Sequence, residues 1–192
     1  MIKAIIFDYF DVLVRDDYWH QVSERAATDG FKGIVAELNV QVNDGTISWR
    51  QFCEIVGTKM GVSPDVVDEN YHKLQLNKRL VMYAQGLKDA GYKIGLLSNA
   101  ASEYLRPILQ SSGLEHLFDA VGISTELGAI KPNERAFLKT TQMLGVEPAE
   151  AVMIDDASHN VAGAKNAGLQ AVEYRTYEQA IAELENLLAK HA

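Results

Sequence analysis

The sequence predicts an α/β fold in which helices pack on both faces of a mainly parallel sheet, with a small all-helical insert. Three observations predict it. Short apolar runs alternate with segments of helical periodicity along most of the chain. Those runs are continuously apolar, the pattern of strands buried on both faces. Between about Asp16 and Asn77 the alternation stops and only helical patterns remain.

Taken in order, Ile2 to Phe7 is the first strand, and it ends at Asp8. The insert follows, with helices expected at Tyr18 to Asp29, Phe31 to Leu38, Ser48 to Met60 and Pro64 to Leu76. Ser48 stands three residues before Gln51, the spacing of a capping box, and Gly61 supplies a stop. After the insert comes a helix over Leu80 to Ala90, stopped by Gly91, and a strand over Lys93 to Leu97 that ends at Ser98 and Asn99. A helix over Ser102 to Ser111 stops at Gly113, and Ala120 to Ile123 is the next strand. The helix Asn133 to Leu144 stops at Gly145. Ala151 to Ile154 is a strand ending in Asp155 and Asp156. Ser158 to Ala167 is a helix stopped by Gly168, Leu169 to Tyr174 an edge strand, and Tyr177 to Lys190 the last helix. The expected division is a core of residues 1–15 and 78–192 with a helical cap of residues 16–77.

The chain has 192 residues, 47 % of them hydrophobic and 23 % charged, which suits a folded enzyme and excludes a disordered chain. Its 18 Lys and Arg against 26 Asp and Glu leave a formal charge of −8, which argues against nucleic-acid or anionic-membrane binding. One cysteine, Cys53, excludes an internal disulfide and a cysteine-based zinc cluster. There is no run of about 18 apolar residues, and the first residues do not read as an export signal. A cytoplasmic location is expected.

Ligands of open parallel sheets bind outside the carboxyl ends of the strands. Asp8, Ser98 with Asn99, and Asp155 with Asp156 all stand at such ends, so distant parts of the sequence should meet in one crevice. Gathered carboxylates repel one another, and a hard cation such as Mg2+ is the usual remedy. A single strand-end Asp is more often a cap or a turn residue. The ordered set of polar strand ends points to a site.

These residues resemble the motifs of the haloacid dehalogenase-like hydrolase superfamily over essentially the whole chain. The first is an apolar strand running into Asp-x-Asp, here Ile5-Ile6-Phe7-Asp8-Tyr9-Phe10-Asp11-Val12-Leu13. The second is a strand ending in Ser, here Gly95-Leu96-Leu97-Ser98-Asn99. The third is a Lys before Pro, here Gly128-Ala129-Ile130-Lys131-Pro132. The fourth is Val152-Met153-Ile154-Asp155-Asp156, followed by Asn160, Ala164 and Gly168. The resemblance implies a Rossmann-like three-layer α/β/α core with a small helical cap after the first motif. It implies Asp8 as nucleophile, Ser98 as hydrogen-bond donor to the transferred group, and Lys131 as the charge that offsets Asp8 and substrate. It implies Mg2+ on Asp156, Asp8 and the Phe10 backbone carbonyl, with Asp155 one step removed. Asn99 would orient substrate or Asp8. Ser98 by itself also reads as a helix cap, and Asn160 reads equally as a brace of the loop after Asp156.

One position breaks the pattern. Phosphatases of this superfamily carry a second Asp two residues after the nucleophile, to protonate the leaving group and activate water; here Phe10 stands there. Losing a general acid–base costs about 10²–10⁴-fold in rate. Three readings follow. The first is a Mg2+-dependent phosphohydrolase of a small organic phosphate, with a good leaving group or another proton carrier such as Asp11. The second is a 2-haloacid dehalogenase, because halide departs without a proton. The third is a non-catalytic binding module. The first is favoured, because the acids at Asp155 and Asp156 are intact. Tyr18, Trp19 and His20 follow the first motif closely and are candidates to line the pocket, although a Trp on a helix is more often core packing; Trp49 and Phe52 read as packing residues on the same ground. Cys53 reads as a small buried hydrophobe. His72, His116 and His191 read as peripheral, and His159 as a surface residue near the site. The expected partner is a small-molecule phosphate, with no nucleic acid and no membrane; both a monomer and a homodimer fit.

Overall fold

The computed structural model describes residues 1–190; His191 lies outside them. The chain forms strands β1 (Ala4–Phe7), β2 (Val14–Arg15), β3 (Gln75–Leu76), β4 (Lys93–Ser98), β5 (Ala120–Ile123), β6 (Ala151–Asp155) and β7 (Gln170–Glu173). Helices α1 (Asp17–Thr28), α2 (Lys32–Asp44), α3 (Trp49–Met60) and α4 (Pro64–Tyr71) form the insert. The rest are α5 (Lys78–Asp89), α6 (Ser102–Ser111), α7 (Ser124–Leu127), α8 (Glu134–Leu144), α9 (Ser158–Asn166) and α10 (Tyr177–Lys190).

Five strands make one parallel sheet in the order β5-β4-β1-β6-β7. β1 is central and buried throughout, which is why its run is apolar without alternation. Successive side chains still point to opposite faces. Ile5, Phe7, Ile94, Leu96, Val152 and Ile154 face one core layer, shared with α5, α6 and α10. Ala4, Ile6, Leu97, Ala151 and Met153 face the other, under α8 and α9. The sheet order reverses direction at β1, so its carboxyl end opens a crevice between the neighbouring strand ends.

The insert packs its own apolar residues, among them Val22, Leu38, Phe52, Val56 and Val67, into a cluster continuous with the first core layer. Two features at its base are absent from the sequence reading. β2 and β3 pair antiparallel, Val14 with Leu76 and Arg15 with Gln75, and Asn77 N–H donates to the Leu13 carbonyl. This ribbon ties the outgoing chain to the returning one.

The structure corrects two insert boundaries. α4 ends at Tyr71 rather than Leu76, because the following residues turn and enter β3. α2 runs on past Leu38 to Asp44, where Gly45 at φ +84° ends it. The Ser48–Gln51 capping box forms as expected, with both reciprocal bonds made. β1 begins two residues later than the apolar run.

The loop bearing Lys131 is held against α9 by close packing. A Cβ on Gly163 of α9 would meet the Pro132 carbonyl oxygen at 2.6 Å and the Pro132 Cβ at 2.7 Å. Gly163→Ala is expected to destabilise the protein by about 1–3 kcal/mol through overpacking. It should also lower any Lys131-dependent activity; urea unfolding alongside assays of the remaining folded fraction separates the two effects.

Candidate active site

Asp8 follows β1, and its N–H donates to the Ile154 carbonyl at 2.9 Å, extending the ladder to β6. Its side chain is buried at the head of the cleft, 7 % exposed. Oδ1 accepts the Tyr9 N–H at 2.7 Å and lies 2.8 Å from Lys131 Nζ. Among the described residues no donor reaches Oδ2. Lys131 Nζ also bonds Asp155 Oδ2 at 2.6 Å, so one fully buried ammonium bridges two carboxylates.

Asp155 ends β6 with both oxygens committed. Its Oδ1 accepts from Asn160 Nδ2 at 2.9 Å and from the Ala157 N–H at 3.0 Å. Asn160 therefore braces the loop after Asp156. Asn99 locks the Lys131 backbone: its amide donates to the Lys131 carbonyl at 3.0 Å and accepts the Lys131 N–H at 2.8 Å. Ser98 ends β4, fully buried, and its hydroxyl has no hydrogen-bond partner. It does not cap α6, whose N-cap position is Ala101. The cleft is lined by Asn99 and not by Ser98.

One oxygen from each of Asp8, Asp155 and Asp156 falls within 4.8 Å of the others. With all three ionised, Lys131 balances one charge and two remain. Burial pushes the Asp8 pKa up to about 8, with Asp155 and Asp156 adding to the rise and Lys131 opposing it. Asp156 is also raised, by burial and then by Asp155 and Asp11. The two excess charges are what one divalent oxygen-seeking cation neutralises. The donor set therefore fits Mg2+, with Asp8 and the exposed Asp156 as side-chain ligands and Asp155 held back by its own hydrogen bonds.

Phe10 takes part in no proton transfer. The loop's hydrogen bonds converge on the Tyr9 carbonyl, from the Leu13 and Val14 N–H groups. Among the described residues no backbone N–H donates to the Phe10 carbonyl. Asp11 adopts φ +56°, uncommon for a residue with a side chain. Its carboxylate meets His20 Nε2 at 3.1 Å.

The cleft above Asp8 has a volume of about 360 Å³. Asp8, Phe10, Asn99, Lys131 and Asp156 line its floor; Trp19, Trp49, Phe52 and Tyr71 from the insert line its roof. Trp49 and Phe52, expected chiefly as packing residues, do both jobs: they pack and they form cleft wall. His159 also reaches the cleft. Asp16, Asn39, Asn43 and Tyr104 are also among its lining residues, and nothing in their local sequence marked them. Burial pushes Asp16, which caps α1 through the Trp19 N–H, up to about 6. His72 is exposed and bonds only its own helix, at the Asp68 carbonyl. Cys53 is buried, as expected, and burial pushes its thiol up to about 12.

Residues 2–168 match the family model of the haloacid dehalogenase-like hydrolases. The chain belongs to this family. It is 26 % identical over 201 residues to a glyceraldehyde 3-phosphate phosphatase of Methanopyrus kandleri, covering 91 % of this chain and 84 % of the relative. A haloacid dehalogenase-like enzyme of Bacteroides thetaiotaomicron, solved with magnesium and inorganic phosphate, superposes with a TM-score of 0.74 at 22 % identity. That match covers 92 % of this chain and 96 % of the other. The L-2-haloacid dehalogenase of Xanthobacter autotrophicus, with chloropropionic acid covalently bound, gives a TM-score of 0.70 at 24 % identity over 95 % and 81 % of the two chains. One fold thus carries both chemistries, and the choice between them rests on the residues of the site. The chain is a haloacid dehalogenase-like hydrolase, and none of its described helices is long and apolar enough to cross a membrane.

A pH dependence follows from Asp8. Its folded pKa lies above the unfolded value of 3.8, so the folded state holds the extra proton. Stability of the metal-free protein should fall as pH rises from about 4 to about 8. Asp16 and Asp156 act in the same direction. Asp8→Asn should raise Tm at pH 8 in EDTA by about 2–4 °C per kcal/mol relieved, and by much less at pH 5. Added Mg2+ should stabilise wild type more at pH 8 than at pH 5, and Asp156→Asn should blunt that gain. Thermal melts at the two pH values check all three.

Proposed function

We propose that this chain is a Mg2+-dependent phosphohydrolase of a small organic phosphate, acting through an aspartyl-phosphate on Asp8. The observation that supports it best is the division of labour at Asp8. Lys131 and the Tyr9 N–H hold Oδ1, while Oδ2 is left free at the head of the cleft. A carboxylate so fixed, with one oxygen open, suits in-line attack on phosphorus.

Asp8, Asp156 and the Phe10 carbonyl would hold the cation, which supplies charge neutralisation to the transferred group when bound. Lys131 holds Asp8 in its attacking orientation and adds a fixed positive charge at the reacting centre. Asn99 fixes the Lys131 backbone. Asp155 and Asn160 position Lys131 and the Asp156 loop. Ser98, sealed below Asn99, becomes a donor to the transferred group only after a small shift of the strand end. The insert, residues 16–77, serves as the cap, roofing the cleft and selecting the organic part of the substrate.

Phe10 favours the dehalogenase reading, since halide leaves unprotonated. The three-carboxylate cluster weighs against it, because a haloacid brings no need for a divalent cation.

The test is hydrolysis of p-nitrophenyl phosphate, whose leaving group needs little protonation. Mg2+-dependent turnover is expected, reduced at least about 10⁴-fold by Asp8→Asn. With no base at Phe10 to activate water, hydrolysis of the aspartyl-phosphate should be the slower half. A burst of p-nitrophenolate approaching one equivalent of enzyme is then expected in the stopped flow. No turnover above the Asp8→Asn blank, with chloride released from 2-chloropropionate instead, would replace this reading with the dehalogenase.

A further inference from the structure

We propose that the substrate is a phosphate monoester of an aromatic alcohol, a phenol or other hydroxyarene, whose ring lies along an aromatic wall of the cleft. The proposal rests on the phosphohydrolase reading and specifies its leaving group.

Four rings form that wall. Phe10 is parallel to Tyr104 (centroids 6.1 Å apart, 5° between planes), Tyr104 to Trp49 (4.0 Å, 16°), and Trp49 to Phe52 (5.1 Å, 19°). All four line the cleft, so the stack runs from two residues beyond Asp8 up into α3 of the insert. The wall is rigid. Tyr104 Oη donates to the Tyr71 carbonyl at 2.7 Å, Trp49 Nε1 donates to Asp68 Oδ1 at 2.5 Å, and the Trp49 N–H donates to the Glu103 carboxylate. Phe10 and Trp49 are only half-buried and keep apolar surface toward the cleft. The rings stack face to face, so they turn their edges to the cleft; a flat apolar ring loses little freedom against such a surface and gains edge-to-face contact.

Proton supply leads to the same class. With Phe10 at the acid position, the leaving oxygen departs as an anion. A phenol ionises near pH 10, whereas an aliphatic alcohol resembles water, near 16. In the first step the bond from Asp8 Oδ2 to phosphorus forms as the aryl oxygen–phosphorus bond breaks, and the electron pair leaves on the phenolate. In the second step a water oxygen bonds to phosphorus, the Asp8 carboxylate is released, and the water proton passes to solvent. The products are the phenol and inorganic phosphate. The competing proton source is the Asp11–His20 pair beside the cleft, and it predicts turnover that depends little on the leaving group.

The experiment compares phenyl, benzyl and cyclohexyl phosphate with the Mg2+-loaded wild-type protein. Benzyl phosphate keeps the ring but has an aliphatic leaving group. Phenyl phosphate is expected to exceed both others in kcat/KM by at least about 100-fold. Benzyl phosphate should still inhibit competitively about 3–10-fold more tightly than cyclohexyl phosphate. Trp49→Leu, checked for folding by circular dichroism, should remove that difference in Ki; should it not fold, the wild-type comparisons decide alone. Cyclohexyl phosphate turned over within threefold of phenyl phosphate overturns the proposal and leaves the phosphohydrolase reading standing. Equal Ki values for benzyl and cyclohexyl phosphate overturn it as well. No Mg2+-dependent turnover of any ester, p-nitrophenyl phosphate included, by folded protein overturns the phosphohydrolase reading itself and the proposal with it.

Discussion

Lys131 holds its ammonium 2.8 Å from Asp8 and 2.6 Å from Asp155, all three essentially out of solvent. A buried ion pair gains little net stability, but removing Lys131 would strand two buried carboxylates, at about 3–5 kcal/mol. The surrounding structure reads as support for this bridge. Asn99 clamps the Lys131 backbone, Gly163 lets the Lys131–Pro132 loop pack on α9, and Asn160 and the Ala157 N–H hold Asp155. The bridge is deliberately short of positive charge. With Asp156 beside it the cluster holds two negative charges in excess, which adds to the effect of burial in keeping Asp8 hard to ionise until a divalent cation arrives.

The parallel sheet makes this arrangement possible. Parallel neighbours on both sides of β1 bring the ends of β4 and β6 beside Asp8, and parallel strands require long crossovers. The floor residues are therefore separated by scores of positions in sequence. The insert follows the loop after Asp8 and returns through the β2–β3 ribbon, so its position over the cleft is tied to the same strand end that carries Asp8. Phe10 lies at that junction. It stacks on Tyr104 of the core, which stacks on Trp49 of the insert. Phe10 thus begins the ring stack that runs from the loop after Asp8 into the insert.

The floor of the site was legible in the sequence because its residues sit at strand ends, where a buried apolar run must stop and a polar residue is conspicuous. Asp8, Asn99 and Asp156 carry that signal, as do Ser98 and Asp155 buried beneath the cleft, and Lys131 is marked by its place beside Pro132. The wall was not. Trp49, Phe52, Tyr71 and Tyr104 are aromatic residues at helical spacing, and periodicity does not distinguish a ring that fills a core from one that also borders a cavity. The β2–β3 ribbon escaped notice because two residues are too few to show a period.

By itself the sequence determined the layered α/β architecture, the helical insert and the polar strand ends, since each depends on local pattern: continuous apolar runs, helical spacing and glycine stops. It also determined that no proton donor follows Asp8 at the second position. Only the tertiary structure decided which carboxylate oxygens are free and which are bound, that Asp155 is occupied by Lys131 and Asn160, and that four aromatic rings stack into one wall. These are relations between residues tens of positions apart, and only packing brings them within a few ångströms.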